Sequence, residues 1–422
     1  MIAHLFKLIW IQRSRNVWIV LELFVVSALM WFIVDYLTVM GITASTPTGF
    51  DIDHTYKVTL AVTQEWENNH VAYPEDSPEP WLNMQRIVAR LREHPQVENV
   101  SVGSWHFPYC RSNMNNRFAH DSLHTSIDVL KVTPDYFRVF RVSGSDGNPE
   151  MLAAAISRGY VVSEEVEKRL FPGSSAVGQR ITANGDEDED GEAVTETFPI
   201  AGVTSLMKRT EFSRPARFIF YPLEERELAG QSETMLWRMV EICFRARAGV
   251  GADFAERFAK EMRAQLSVGN YYLSEITPIS DFRDEQLQWV YDPMRYRIGF
   301  SIFFLINIFL GVIGTFWLRI EKRRSEIGLR MAVGSSRRQV LRQMMGEGIV
   351  LLLAAYVPAM LLCLNLSKMD LLSADYMDAT PLRLLLNTVV TFMLLVVVVC
   401  LGTWYPARRS SKIEPAEALH YE

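Results

Sequence analysis

Four cysteines in 422 residues are too few for a scaffold built on disulfides. The chain has no Gly-x-x-x-x-Gly-Lys-Ser/Thr loop, whose backbone amides and lysine would hold nucleotide phosphates. No Ser/His/Asp or Cys/His constellation, no cofactor motif and no resident metal signature stand out, so no catalytic residue is assigned. A strongly basic domain interleaved with aromatics is also missing, which argues against a nucleic-acid partner. Charge itself is missing in places. Residues 298–318, 349–367 and 384–404 carry none, and residues 17–34 carry only Glu22. About 20 apolar residues cross a hydrocarbon core, so all four runs reach spanning length. Glu22 is costly at mid-membrane but tolerable about one turn from the interface.

The first run follows Lys7, Arg13 and Arg15, as a signal peptide would. It is too long for a 7–15 residue apolar region and no Ala-x-Ala site follows, so an uncleaved anchor is expected. Basic residues cluster before the first run, between the second and third, and after the fourth at Arg408, Arg409 and Lys412. The hairpin at 369–380 holds Asp370, Asp375 and Asp378 and no lysine or arginine. The positive-inside rule then puts both termini in the cytoplasm. The expected division is a cytoplasmic segment 1–16, spans at 17–40, 296–320, 344–368 and 384–405, and an outer domain at 41–295. A cytoplasmic segment 321–343, an outer hairpin 369–383 and a tail 406–422 complete it. Cys110 and Cys243 fall in the outer domain, where they either pair or stay as two buried thiols. Residues 1–16 suit either an interfacial helix or an extension of the first span.

The outer domain reads as α/β. Residues 57–63 alternate like a strand. Met84, Ile87, Val88 and Leu91 give residues 81–93 one apolar helical face, ended by Pro95, and 97–105 is extended again. The same order recurs at 241–247, 252–266 and 271–279. Two strand–helix–strand units predict one split β-α-β sandwich of ferredoxin-like type, over about 51–106 and 239–290, with residues 107–238 inserted. The insertion reads as mainly strands (126–133, 160–162, 198–203) with a short helix at 164–170. Asn184-Gly185 opens an acidic loop at 186–192. Residues 281–294 are expected to run as helix into the second span.

The stretch 319–342 holds eight basic and two acidic residues. Ser325 suits an N-cap, with Glu326 in the first turn. Gly334 suits the residue after a helix end, and Ser336-Arg-Arg-Gln339 is a capping-box pattern. A short helix over 326–333, a break at 334–335 and a new helix are predicted. A basic loop on anionic lipid explains the charges but not the caps.

SEIGLRMAVGSSRRQVLRQ at 325–343 resembles the cytoplasmic motif of the FtsX/MacB superfamily of ABC-transporter permeases. YPARRSSKIEPAEALHYE at the C-terminus is similar to the same family's tail. VTPDYFRVF at 132–140 and VVSEEVEKRLFPGSSAVGQRI at 161–181 resemble the MacB-type periplasmic core domain. The resemblance implies four transmembrane helices and a large periplasmic domain with a porter-like part and an inserted part. It implies a bacterial inner-membrane permease subunit, paired with a second subunit in a homo- or heterodimer. Glu326, Gly328, Arg330, Gly334 and Arg337 would contact a cytoplasmic ABC ATPase. That ATPase would drive periplasmic motion for export or extraction of a small molecule, peptide or amphiphile, with a periplasmic adaptor and an outer-membrane channel as further partners. MacB itself carries an ATPase domain before its first span. Only about 16 residues precede the span here, so a separate ATPase is expected and the chain itself is read as no enzyme. Two runner-up readings are an FtsX-like regulator of a periplasmic enzyme, whose outer domain is typically smaller so that the insertion argues against it, and a Lol-type lipoprotein-release permease, which shares the four-span plan.

Lesser motifs have bland alternatives. His120 and His124 have zincin-like i, i+4 spacing, but no third ligand is apparent, and a surface pair leading into a strand is expected. Asp186, Asp188, Asp190 and Gly191 match half an EF-hand loop, but Thr197 stands where a bidentate glutamate is needed, so a solvated hairpin tip is expected. Gly311 and Gly314 suit close helix approach, Pro358 a kink, and Asn387 a hydrogen bond to a neighbouring helix.

Overall fold

The computed structural model describes residues 13–74, 76–110, 114–187, 193–323, 326, 329, 331, 333–367 and 376–410. The chain forms two compact units, Ser45–Val290 and Met1–Ala44 with Tyr291–Glu422.

The first unit holds a ten-stranded sheet. Its first part is β1 (Thr55–Val62), helix α2 (Glu79–Glu93) and β2 (Val97–Ser104), then β9 (Glu241–Ala246), α8 (Phe254–Met262) and β10 (Tyr271–Pro278). These strands lie in the order β10-β1-β9-β2, and every neighbouring pair is antiparallel. That is the split β-α-β order expected from the repeated pattern. The apolar stripes of both helices supply its core: Met84, Ile87, Val88 and Leu91 from α2, and Phe254, Phe258 and Met262 from α8. Pro at the start of α2 and the extended His94 at its end set its limits.

The insertion closes on itself. It contains β3 (Met114–His120), β4 (Leu123–Val132), β5 (Tyr160–Ser163), β6 (Arg180–Glu187), β7 (Ala193–Thr204) and β8 (Phe218–Pro222). The order β4-β3-β6-β7-β5-β8 returns to β4 through a parallel β4–β8 pairing, giving a six-stranded ring without a free edge. Phe118, Ile127, Val162, Ile181, Phe198 and Ile219 fill it. Helix α5 (Glu164–Leu170) follows β5 and contributes Val166 and Leu170. Two smaller helices, α3 (Asp135–Val139) and α4 (Pro149–Ile156), build an adjoining aromatic core around Tyr136, Phe137 and Phe140.

The ring meets the first part where β2 pairs with β4 at Gly103 and Ser104. A Cβ on Gly103 would lie 2.4 Å from Lys131 O and 2.5 Å from His106 Cγ, so only glycine permits this approach. Arg245 on β9, 1% exposed, ties the entry to β1 to the insertion. Its Nε donates to Val139 O at 2.6 Å, Nη1 to Asp53 O at 2.7 Å and Nη2 to Asp51 O at 2.7 Å. Burial pushes its pKa down, opposed by the Asp51 carboxylate.

Several expectations change. Residues 184–187 belong to β6, with Asn184 paired to Thr195 and Glu187 to Ala193. The predicted acidic loop therefore begins later, and its residues 188–192 lie outside the described residues, as does the calcium pattern at Asp188, Asp190 and Gly191. His120 and His124 are not on a helix. They sit on opposite arms of the β3–β4 hairpin, whose turn places Asp121 at φ 51°. His120 is spent on Arg180 O at 2.9 Å through Nδ1 and packs on Phe171. Among the described residues no group of three His, Cys, Asp or Glu is placed to hold a metal ion. Cys110 and Cys243 form no disulfide; Cys243 is buried but Cys110 only partly so. Desolvation raises the Cys243 thiol pKa and leaves it inert.

Four helices are long and apolar enough to cross a membrane: α1 (Arg13–Ser45), α9 (Ile279–Glu321), α10 (Arg337–Leu366) and α11 (Pro381–Ser410); the second unit holds α10, α11, α1 up to Ala44 and α9 from Tyr291. Leu23, Trp31, Val312, Leu351, Ala355 and Val399 meet at its centre. The close approaches are not all where the sequence suggests. A Cβ on Gly314 would meet nothing within 4 Å, and one on Gly311 only Glu22 Oε1 at 3.5 Å. The tight contact is Gly348, whose Cβ would sit 2.9 Å from Val399 Cγ1 and 3.4 Å from Phe316 Cε1. Small residues at such points let membrane helices pack by dispersion alone.

Candidate functional site

The segment between α9 and α10 is the candidate coupling site. Its C-terminal boundary is built as the local sequence dictates. Ser336 Oγ accepts from Gln339 N–H at 3.3 Å, and Ser336 N–H donates to Gln339 Oε1 at 2.8 Å. This reciprocal pair satisfies two amides that the first turn of α10 would leave orphaned. Gly334 has φ 103°, a conformation that L side chains rarely adopt, and so ends the preceding turn. In that turn Val333 N–H donates to Leu329 O at 3.0 Å and Gly334 N–H to Met331 O at 3.1 Å. Glu326, Leu329 and Met331 are helical; Ser325, Gly328 and Arg330 lie outside the described residues.

Arg323 organises this region. Its Nε and Nη2 bond Glu326 at 2.8 and 3.0 Å, and its Nη1 bonds Glu347 Oε2 at 2.5 Å. Gln343 Nε2 donates to Glu347 Oε1 at 3.3 Å, so α10 contributes two side chains to the cluster. The hydrogen bonds that Arg323 donates to Glu326, then the Glu347 charge, hold its pKa above the ordinary value although burial opposes them. Ile320 and Val340 are buried beneath, with Met331, Leu341 and Met344 against them. The fork thus grips Glu326 by a planar bidentate contact that lysine cannot reproduce, and its remaining arm ties the segment to Glu347 of α10. Arg337 is exposed at the start of α10. Leu329 and Val333, one turn apart, are 54% and 81% exposed. Of the residues expected to meet an ATPase, the structure brings Glu326 into the Arg323 fork and leaves Gly334 and Arg337 at the open end. Sequence reading missed Arg323 and Glu347, because the pair is 24 positions apart. The lone acidic residue in the first turns of a basic, apolar helix was the available clue.

A second charged cluster lies within the helices. Arg383 donates to Asp35 through Nε at 2.9 Å and Nη2 at 2.6 Å, and Asn387 Nδ2 also donates to Asp35. All three are nearly unexposed. The polar residues follow helical spacing: Ser27, Trp31 and Asp35 on α1, Arg383, Asn387 and Thr391 on α11. Trp31 Nε1 lies 3.4 Å from Thr388 Oγ1, continuing the seam. Asn387 thus makes the interhelical bond expected of it. Glu22 accepts from Thr315 on α9, at 2.9 Å to Oε2, which lowers the cost of placing a carboxylate in the span.

Four apolar helices with a separate α/β unit define a multi-pass membrane protein of the kind found in inner membranes. Residues 36–260 match the MacB-like periplasmic core domain and residues 298–415 the FtsX-like permease C-terminal family. The first match alone covers more than half of the chain, which therefore belongs to the MacB/FtsX-type permeases, transmembrane components of ABC transporters. The macrolide export ATP-binding/permease protein MacB of Sodalis glossinidius is 23% identical over 317 residues, 72% of this chain and 45% of that protein. The pyoverdine export ATP-binding/permease protein PvdT of Pseudomonas putida is 24% identical over 361 residues, 79% of this chain and 48% of that protein. The chain spans about half the length of these relatives. The crystal structure of the periplasmic region of MacB from Actinobacillus actinomycetemcomitans aligns at TM-score 0.33 and 12% identity, covering 57% of this chain and 94% of that one.

Proposed function

We propose that the chain is the permease subunit of an export complex and that residues 321–343 receive the stroke of a separate cytoplasmic ATPase. The observation that carries this reading is the Arg323 fork onto Glu326 and Glu347. A segment fastened at one end to α10 by buried charge-assisted bonds, and broken at Gly334, transmits force rather than absorbing it. Leu329, Val333 and Arg337 offer the partner an apolar pair with a cation beside it, a composition suited to an interface core with an arginine at its edge. Under this reading both termini and the segment are cytoplasmic, and the MacB-like domain is periplasmic and moves in response. Two permease subunits would be needed for two ATPase sites. The relatives named for macrolide and pyoverdine export support efflux of a small molecule, peptide or amphiphile over regulation of a periplasmic enzyme.

The test begins with nucleotide. These 422 residues, purified alone, are expected to bind no ATP. Together with their ATPase they are expected to form a complex that Leu329→Asp plus Val333→Asp dissolves. ATP binding by the chain alone, or an unaffected complex in the double variant, would refute the assignment.

A further inference from the structure

The α/β unit holds a partly open cavity of about 130 Å³ that the coupling reading does not use. Aromatic side chains wall it: Phe50, Trp105, Phe107, Tyr109, Tyr136 and Phe218. Engineered apolar cavities of roughly this size take one benzene-sized guest. A macrolide is far too large for it.

The polar atoms define what such a guest carries. His106 is wholly buried, and its Nδ1 lies 3.0 Å from Glu241 Oε2. An ionised carboxylate only accepts, so Nδ1 holds a proton, and Nε2 is the ring atom left to meet a guest. Burial alone would raise the Glu241 pKa; the hydrogen bond and charge of His106, with Lys57 at 3.9 Å, lower it instead and keep the carboxylate ionised. His106 Nε2 is buried without a hydrogen-bond partner among the described residues, and so is Gln286 Oε1. Both residues line the cavity. Two unpaired polar atoms shielded from bulk water are costly, and such atoms in a native fold call for an explanation.

The backbone around the cavity adds a second, independent sign. Trp105 and Tyr109 adopt φ 51° and 64°, left-handed values that non-glycine residues rarely take. Both flank the short stretch that presents His106 to the cavity. The stretch is held there by Glu241, which also accepts from the His106 backbone N–H at 3.0 Å. Strain kept in this way marks a segment whose shape matters more than its local comfort.

We propose that this cavity binds a neutral, single-ring aromatic molecule bearing a hydroxyl, with the ring among the aromatic walls and the hydroxyl, which both donates and accepts, meeting His106 Nε2 and Gln286 Oε1 together. The site is distinct from the coupling segment and stands whether or not that reading holds. A site built around buried polar atoms discriminates against an isostere that lacks the hydroxyl, because binding it leaves those atoms unpaired.

The test uses the full chain in nanodiscs and 4-fluorophenol as the probe, read by fluorine NMR line broadening against empty nanodiscs. Saturable broadening that unlabelled phenol displaces is expected. 4-Fluorotoluene, of the same shape without the hydroxyl, should bind at least tenfold more weakly. His106→Phe and Gln286→Leu should each weaken 4-fluorophenol binding about tenfold or more. His106 is in the core, so Gln286→Leu, at a half-buried helix position, decides the matter if the other variant fails to fold. No saturable broadening above empty nanodiscs, equal binding of the two probes, or unchanged affinity in Gln286→Leu would each overturn the proposal.

Discussion

Arg383 and Arg323 do the same chemistry in the helical unit and differ in what surrounds them. Arg383 and Asp35 have side chains 1% and 2% exposed, with Asn387 as a third member. Arg323 is 17% exposed, Glu347 8% and Glu326 39%. The first pair is enclosed on every side, so its partners cannot be exchanged for water and the pair acts as a fixed strut between α1 and α11. The second spreads one guanidinium over a buried and a half-exposed carboxylate. It can release Glu326 to water while keeping Glu347, which is what a contact needs if it must hold through one state of a cycle and shift in another. Burial, not the ion pair itself, separates a strut from a joint.

The comparison can be broken by mutation. Arg383→Met leaves Asp35 buried with Asn387 but without its cation, at an expected cost of about 3–5 kcal/mol, while the double variant Asp35→Leu/Arg383→Met should recover most of it. Thermal unfolding in detergent checks both, and an Arg383→Met variant as stable as wild type would remove the strut. Arg323→Gln should cost less, about 1–3 kcal/mol, because Gln343 still serves Glu347 and Glu326 reaches water. Its larger effect falls on coupling, read as transport per ATP hydrolysed. Gly334→Ala should cost about 1 kcal/mol through its positive φ, visible as faster amide exchange at 333–340 with global stability preserved. The smallest effect is acid sensitivity in the α/β unit. The folded Glu241 pKa lies below its ordinary 4.5, so its contribution is complete above pH 4.5 and is lost as pH falls below that. Glu241→Gln should flatten the stability curve of the chain only in that acid window, as unfolding across pH 3–6 would reveal.

What could be read from sequence was local. The capping box, the break at Gly334, the helix Glu164–Leu170 and the repeated strand–helix–strand order all rest on residues a few positions apart, and each has a structural counterpart. The ring of the insertion was not legible. β3 reads Met-Asn-Asn-Arg-Phe-Ala-His, with one fully buried residue in seven, and its fit comes from pairing with β4 and β6 rather than from alternation. Asp35 and Arg383 stand 348 positions apart, so nothing near either predicts the other. Of the candidate site, the exposed Arg337 and the hinge at Gly334 came from pattern. The fork that fastens the segment came only from the fold, since Arg323 looked like one basic residue among eight.

The central claim is that residues 321–343 carry force from ATP turnover to the rest of the permease. The direct measurement is a reconstituted complex with its ATPase, comparing wild type with Gly334→Pro and Arg330→Glu for hydrolysis and transport in the same vesicles. Both variants are expected to insert normally and hydrolyse ATP while transport falls at least tenfold. Transport that stays proportional to hydrolysis in both variants would contradict the account.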